Sequence, residues 1–388
     1  MRYRIEKDLL GQRQVPAEAY YGIETLRGKE NFEITKRGIC RQMIKALAIV
    51  KKAAAKANVD ALNIDEKVGK AIMLACDEIL KVRLHGQFVT DLIQGGAGTS
   101  MNMNANEVIA NRANELLGGK KGVYDFVHPN DHVNFGQSTN DVIQTAGKIA
   151  IVKQLKKLQV ELKKLYNAYL NKATEFKDVI KMGRTHLQEA LPLRLGQEFS
   201  AYASALNRDM KRVDVAIEAL LEVNMGATAI GTSLNANEKY RKKVIYYLNK
   251  FSGEQIKPAK DLIDATRNFD TFGQASSTLK LLALNLSKTA SDLRQMASSG
   301  SNGFSEITLP HVQPGSSIMP GKYNPVVPEM VNQVCFYVIG LDVTITKAIE
   351  AGQLELNVFG PIILMSLFEQ ITTLRRATRT FHNLAISG

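Results

Sequence analysis

The sequence predicts a mainly α fold built around a long central helix bundle, and three observations carry that expectation. Proline is scarce, at 10 of 388 residues, and neither Gly nor Pro interrupts 148–181. Within that stretch Ile149, Val152, Leu155, Leu158, Leu162, Leu165 and Tyr169 recur at spacings of three and four, which lines them along one helical face. Short polar segments rich in Gly, Ser, Thr and Asn separate this stretch from others like it.

Taken in order, residues 1–135 read as a mixed, mostly helical N-terminal domain, and 136–388 as the long-helix bundle. After the 148–181 helix, a second stripe runs through Phe199, Tyr202, Leu206, Met210, Val213, Ile217 and Leu220. A third apolar helix is expected over about 276–296, and a fourth from near Pro328 past Leu341. Leu279, Leu281, Leu282, Leu284 and Leu286 cannot share one stripe, so this helix needs apolar neighbours on several sides. A core shared between subunits meets that need.

Composition narrows the function. Hydrophobic residues make up 45% of the chain, ordinary for a globular protein. No apolar run of membrane-spanning length is evident, and the opening Met1-Arg2-Tyr3-Arg4-Ile5-Glu6-Lys7 is too charged for a signal peptide. Cys40, Cys76 and Cys335 are scattered and odd in number, which fits a reduced, cytoplasmic setting without membrane attachment. The net charge of +12 raises the question of nucleic acid. The densest basic cluster, Lys153, Lys156, Lys157, Lys163 and Lys164, alternates with apolar residues, however, and reads as a solvated helix face. A basic field also draws in anionic small molecules.

The polar segments are where chemistry is expected, since rigid helices commonly present their reactive groups on loops. They are Gln94-Gly95-Gly96-Ala97-Gly98-Thr99-Ser100, Asn134-Phe135-Gly136-Gln137-Ser138-Thr139-Asn140-Asp141, Gly183-Arg184-Thr185-His186-Leu187-Gln188-Glu189, and Gln313-Pro314-Gly315-Ser316-Ser317-Ile318-Met319-Pro320-Gly321-Lys322-Tyr323-Asn324-Pro325. Singly, each has a plain structural use: a turn at Gly95–Gly98, helix caps at Ser138 and Thr139, a hydrogen-bonded histidine at His186. Together they offer hydroxyls, amides, one histidine and one lysine, a set suited to orienting carboxylates. No phosphate-loop or Rossmann fingerprint, metal-ligand spacing or Gly-x-Ser-x-Gly elbow accompanies them.

The stretch from Gly315 to Pro325 resembles the hallmark loop of the aspartase/fumarase superfamily. Gln137-Ser138-Thr139-Asn140-Asp141 and the Gly183–Glu189 segment are similar to that family's other two substrate segments, in the same order. The opening Arg4-Ile5-Glu6-Lys7-Asp8-Leu9-Leu10-Gly11, the segment Tyr20-Tyr21-Gly22-Ile23-Glu24-Thr25-Leu26-Arg27, the 94–107 segment and Ala351-Gly352-Gln353-Leu354-Glu355-Leu356-Asn357-Val358 resemble its ammonia-lyase branch more than its fumarase branch. The resemblance implies reversible deamination of L-aspartate to fumarate and ammonia, with fumarate hydration, another lyase reaction or a catalytically idle structural homologue as the alternatives. It implies a homotetramer with each active site built from three subunits. No cofactor is implied beyond the magnesium activation known in some relatives.

By the same resemblance Ser316 is the base that removes the carbon proton, and His186 a substrate-binding residue oriented by Glu329. Thr99, Ser138, Thr139, Asn140, Thr185 and Ser317 become substrate-binding candidates, and Lys322 and Asn324 are the expected holders of the second carboxylate. Departures from the family pattern are Gly136 in place of Ser, Ile143-Gln144 in place of an aromatic-Pro pair, Ser301-Asn302 in place of Pro-Arg, and Ser233 in place of Gly. The small C-terminal helical domain usual in the family is expected to be missing or truncated, since the sequence stops at Ile386-Ser387-Gly388.

Overall fold

Apolar periodicity becomes packed helix along most of the chain. The structure, a computed structural model, describes residues 2–298 and 302–387; the Ser301 departure and Gly388 lie outside them. In order, the elements are β1 (Tyr3–Asp8), β2 (Gly11–Pro16), α1 (Ile23–Asn31), α2 (Arg41–Asp60), α3 (Glu66–Leu80), α4 (Thr99–Leu116), α5 (Thr139–Glu175), β3 (Ile180–Thr185), β4 (Gln188–Arg194), α6 (Leu195–Leu220), β5 (Glu222–Val223), α7 (Glu238–Ser252), β6 (Lys257–Pro258), α8 (Leu262–Arg267), α9 (Asp270–Met296), α10 (Val326–Glu350) and α11 (Gly360–Phe381). The strands form three two-stranded sheets: β1–β2 and β3–β4 antiparallel, β5–β6 parallel.

Two compact units emerge. The first comprises Met1–Val152, Glu218–Phe272 and Ile345–Met365. In it α2 packs on α3 and α7, and α4 packs on α1 and α3, around Leu47, Ile72, Ile79, Ile109 and Tyr240. The boundary expected near residue 135 falls inside this unit. The reason is Asp141 in the first turn of α5, which accepts hydrogen bonds from the Gly226 and Thr228 amides at 3.1 and 3.0 Å and so ties the helix start to the 218–272 segment.

The second unit comprises Lys153–Ile217, Gly273–Thr344 and Ser366–Gly388. Its core is a bundle: Leu155, Leu158, Leu162, Leu165 and Tyr169 of α5 are buried, with Phe199, Leu206 and Val213 of α6, and Leu279, Leu282 and Leu286 of α9. Buried polar bonds fix the helix register. Asp342 of α10 accepts from Ser276 Oγ at 2.7 Å and pairs with Lys280 Nζ at 2.6 Å, while Gln370 of α11 donates to Ser276 Oγ at 3.1 Å.

Three expectations are corrected. The helix expected over 148–181 begins at Thr139 and ends at Glu175. Gly147 does not interrupt it, since a Cβ there would lie 2.5 Å from Leu364, so close packing favours the glycine. Beyond Glu175 the chain turns into β3, which the absence of Gly and Pro alone did not reveal. Finally, α10 is long and apolar enough by length and composition to cross a membrane, although no such run was recognised in the sequence. Val331, Cys335 and Val338 turn one side of it into the second unit's core.

Candidate active site

The loop before α10 presents Ser316. Its neck is closed by Asn324, whose Nδ2 donates to Gly315 O at 2.5 Å. Gly315 is required there: a Cβ would lie 2.2 Å from Lys322 O and 2.8 Å from Asn324 N. Within the loop, Ser316 Oγ accepts hydrogen bonds from the backbone amides of Met319 at 3.0 Å and Ile318 at 3.3 Å. Two N–H dipoles aimed at one hydroxyl oxygen stabilise negative charge on it. Ser317 is exposed. Lys322, Tyr323 and Asn324 line a cleft of about 340 Å³ with residues 307–311, and the His311 and Tyr323 rings stack across it at 3.8 Å.

In the same unit Thr185 ends β3, and His186 and Leu187 form the two-residue turn to β4. Both turn residues have positive φ, +54° and +61°, a conformation that costs non-glycine residues about 1–3 kcal/mol. The paired strands hold them there, with the His186 side chain exposed at the tip. Glu329 lies in the first turn of α10. Among the described residues no hydrogen bond or ion pair joins it to His186.

The first unit holds the remaining candidates. Ser138 caps α5 reciprocally: its Oγ accepts from Asn140 N at 3.2 Å, and its own amide donates to Asp141 Oδ1 at 3.0 Å. Thr139 Oγ1 accepts from Asn102 Nδ2 at 3.2 Å, which leaves its own proton to donate. Asn140 donates to Ala229 O at 2.7 Å, and the exposed Thr99 donates to Gly96 O at 2.7 Å. Gly136 has φ +68°, which suits glycine better than the usual Ser. Ile143 and Gln144 are buried within α5 and leave its capped start at Thr139.

Beneath this segment lies a buried lysine that sequence reasoning missed. Lys51 is fully buried in α2 and donates to Asn134 Oδ1 at 2.8 Å and Gln137 Oε1 at 3.0 Å. Burial pushes its pKa down to about 7, against the pull of Asp141. Burial likewise raises Asp141 to about 6, although three backbone amides and Lys51 oppose the shift. The available signal was spacing: Leu47, Val50, Lys51 and Ala54 share the apolar face of α2. Glu306 and Lys181 were also passed over, since neither stands inside a recognisable motif.

One unit thus gathers the Ser316 loop, the Lys322–Asn324 cleft and the His186 hairpin, while the other gathers Thr99 and the Ser138–Asn140 helix start. Polar loops of hydroxyls, amides and a lysine carried on a helical bundle suit the binding of a small substrate that bears carboxylates. The lyase family profile matches residues 11–340, and the chain belongs to that family, within the aspartase/fumarase superfamily. It is 54% identical over 386 residues to the aspartate ammonia-lyase of Bacillus subtilis, covering 100% of this chain and 81% of that one. It is 50% identical over 387 residues to the Helicobacter pylori aspartate ammonia-lyase, covering 99% and 83%. Its fold is similar to a fumarate lyase/delta crystallin from Brucella melitensis, with TM-score 0.98 and 47% identity over 100% of this chain and 85% of that one. A class II fumarase from Schistosoma mansoni follows the same path, with TM-score 0.97 and 35% identity over 100% and 84%.

Proposed function

We propose that this chain is an aspartate ammonia-lyase, a carbon–nitrogen lyase that converts L-aspartate reversibly to fumarate and ammonia. The observation that supports it most is the 54% identity to such an enzyme along the whole chain.

The chemical difficulty is a carbon proton beside an ionised carboxylate, whose removal adds negative charge to an anion. Ser316, reacting as the oxyanion, takes the Cβ proton. The Ile318 and Met319 amides that already point at Oγ lower the cost of that charged form. The electron pair of the broken C–H bond moves into the adjacent carboxylate as an enediolate-like dianion. Its return forms the C=C bond and expels the ammonium nitrogen as ammonia. Thr99, Ser138, Thr139, Asn140, Thr185 and Ser317 supply donors to the carboxylate that gains charge. Lys322 and Asn324 hold the other carboxylate. His186 binds substrate, oriented by Glu329.

Among the described residues of one chain no hydrogen bond or ion pair joins His186 to Glu329. An assembly of four copies, in which segments of three meet at each site, lets them and the donors of both units serve one substrate. A cytoplasmic enzyme of amino-acid metabolism follows from the same reading.

The experiment is fumarate formation followed by ultraviolet absorbance, with L-aspartate and L-malate supplied separately. Fumarate from aspartate alone is expected. Fumarate from malate alone makes the chain a fumarase, and fumarate from neither removes both readings.

A further inference from the structure

The hairpin carrying His186 and the segment leading into the Ser316 loop are joined by one carboxylate. Glu306 Oε2 lies 2.6 Å from Lys181 Nζ, and its Oε1 pairs with Arg184 Nη1. Lys181 and Arg184 stand three apart on β3, a spacing that puts side chains on opposite faces of a regular strand. The β3–β4 register slips by one residue between Met182 and Arg184, a bulge that adds local twist, and both cations reach Glu306. Gly183 lies between them because a Cβ there would come within 2.8 Å of Leu191 O.

The surroundings tighten the connection. The Arg184 guanidinium lies 4.3 Å from the centre of the Phe304 ring, and Lys181 also pairs with Glu198 at 3.0 Å. The side chains of Lys181 and Glu306 are only 10% and 11% exposed, so solvent screens the pair weakly. Burial works against ionisation of Glu306, but Lys181 and Arg184 outweigh it and hold the carboxyl below its usual range. The Glu306 backbone is itself anchored, its amide donating to Met296 O at 2.9 Å at the end of α9. Residues 307–311, directly after it, form the wall of the cleft that faces Lys322–Pro325.

We infer that Glu306 is a positioning residue, whose ion pairs with Lys181 and Arg184 hold the wall of the Ser316–Lys322 loop and the His186 hairpin of one chain in place, each for the site it serves. This inference rests on the aspartate ammonia-lyase reading. Glu306 is not among the residues proposed to hold substrate; it acts through the segments it joins, and small displacements of reacting groups are costly in rate.

The test is steady-state kinetics of the full chain with L-aspartate, beside thermal unfolding, for Glu306→Gln, Arg184→Gln and the double variant. Glu306→Gln is expected to lose about tenfold or more in kcat, with a smaller change in KM and a melting point within a few degrees of the parent. The double variant is expected to lose no more than the worse single one, because both act through one bridge. If Glu306→Gln does not fold, Arg184→Gln, which leaves the Lys181 pair in place, is expected to show the same kcat-weighted loss. Unchanged kcat in whichever of the two folds, or losses that multiply in the double variant, overturns the inference while leaving the lyase reading intact. A parent chain that makes no fumarate from aspartate overturns the lyase reading, and the inference with it.

Discussion

At Ser316 the physical problem and its local solution sit within four residues. A serine hydroxyl is a weak base, and the loop answers by turning the Ile318 and Met319 amides onto its oxygen. Ser316→Ala removes the proton acceptor but no buried packing. The expected result is a loss of kcat on the order of 10² to 10⁴, with the melting point unchanged; activity within a few-fold of the parent removes Ser316 from the role of base. Lys51 poses the opposite case, a charge placed where water does not reach. Its pKa falls from 10.5 to about 7 on folding, so between these values the unfolded chain binds the extra proton and stability rises with pH. Asp141, raised from 3.8 to about 6, acts in the opposite sense at lower pH, its contribution being lost as pH climbs through about 6. Lys51→Met is expected to lack the gain in melting temperature that the parent shows between pH 7 and pH 9, and an identical gain in both would show that Lys51 does not supply it. Ser316 was legible in the sequence because its neighbours form a long motif. Lys51 was not, since a buried lysine looks like any other until its helix face is known.

At the scale of elements, legibility followed periodicity. The α6 helix lies close to where its spacing of three and four placed it, and α9 and α10 lie close to where their apolar-rich stretches did. The β3–β4 hairpin escaped notice because its strands are six and seven residues long and its turn is His186-Leu187 rather than a glycine pair. Glu306 depends on that hairpin for its meaning, so it stayed hidden with it. The Ser316 loop behaves differently from both, being held at its neck by the Asn324–Gly315 bond and by the close approach of the two loop stems. Gly315→Ala forces Cβ against the Lys322 carbonyl and must spread the neck. Because the residues around Ser316 are exposed or half-buried, the spreading is expected to leave the unfolding temperature within a few degrees while lowering kcat by about tenfold or more. A matched fall in melting temperature and active-enzyme fraction would instead mean that the loop neck supports the fold.

The whole molecule leaves apolar surface that one chain does not cover. On α10, Phe336 is 63% exposed and Val343 59% exposed, seven residues apart on one face; on α9, Leu281 and Leu284 are 41% and 48% exposed. The leucines that could not share one stripe divide accordingly, Leu279, Leu282 and Leu286 turning inward and Leu281 and Leu284 outward. Large apolar side chains exposed along two helices suit an interface, and in the proposed tetramer they meet the same helices of other copies. Closed symmetric assemblies reuse one patch on every subunit, so a single substitution acts at each interface at once. Phe336→Glu places a carboxylate in that contact, and burying an unpaired charge there costs several kcal/mol per interface. Light scattering is expected to show a four-chain mass for the parent and a smaller species for the variant, with helical circular dichroism retained. Activity should fall with the mass, because a site assembled from three subunits cannot form in a smaller species. A variant that remains four-chain places the interface on another face, and one that dissociates to two chains or one with full activity removes the three-subunit site.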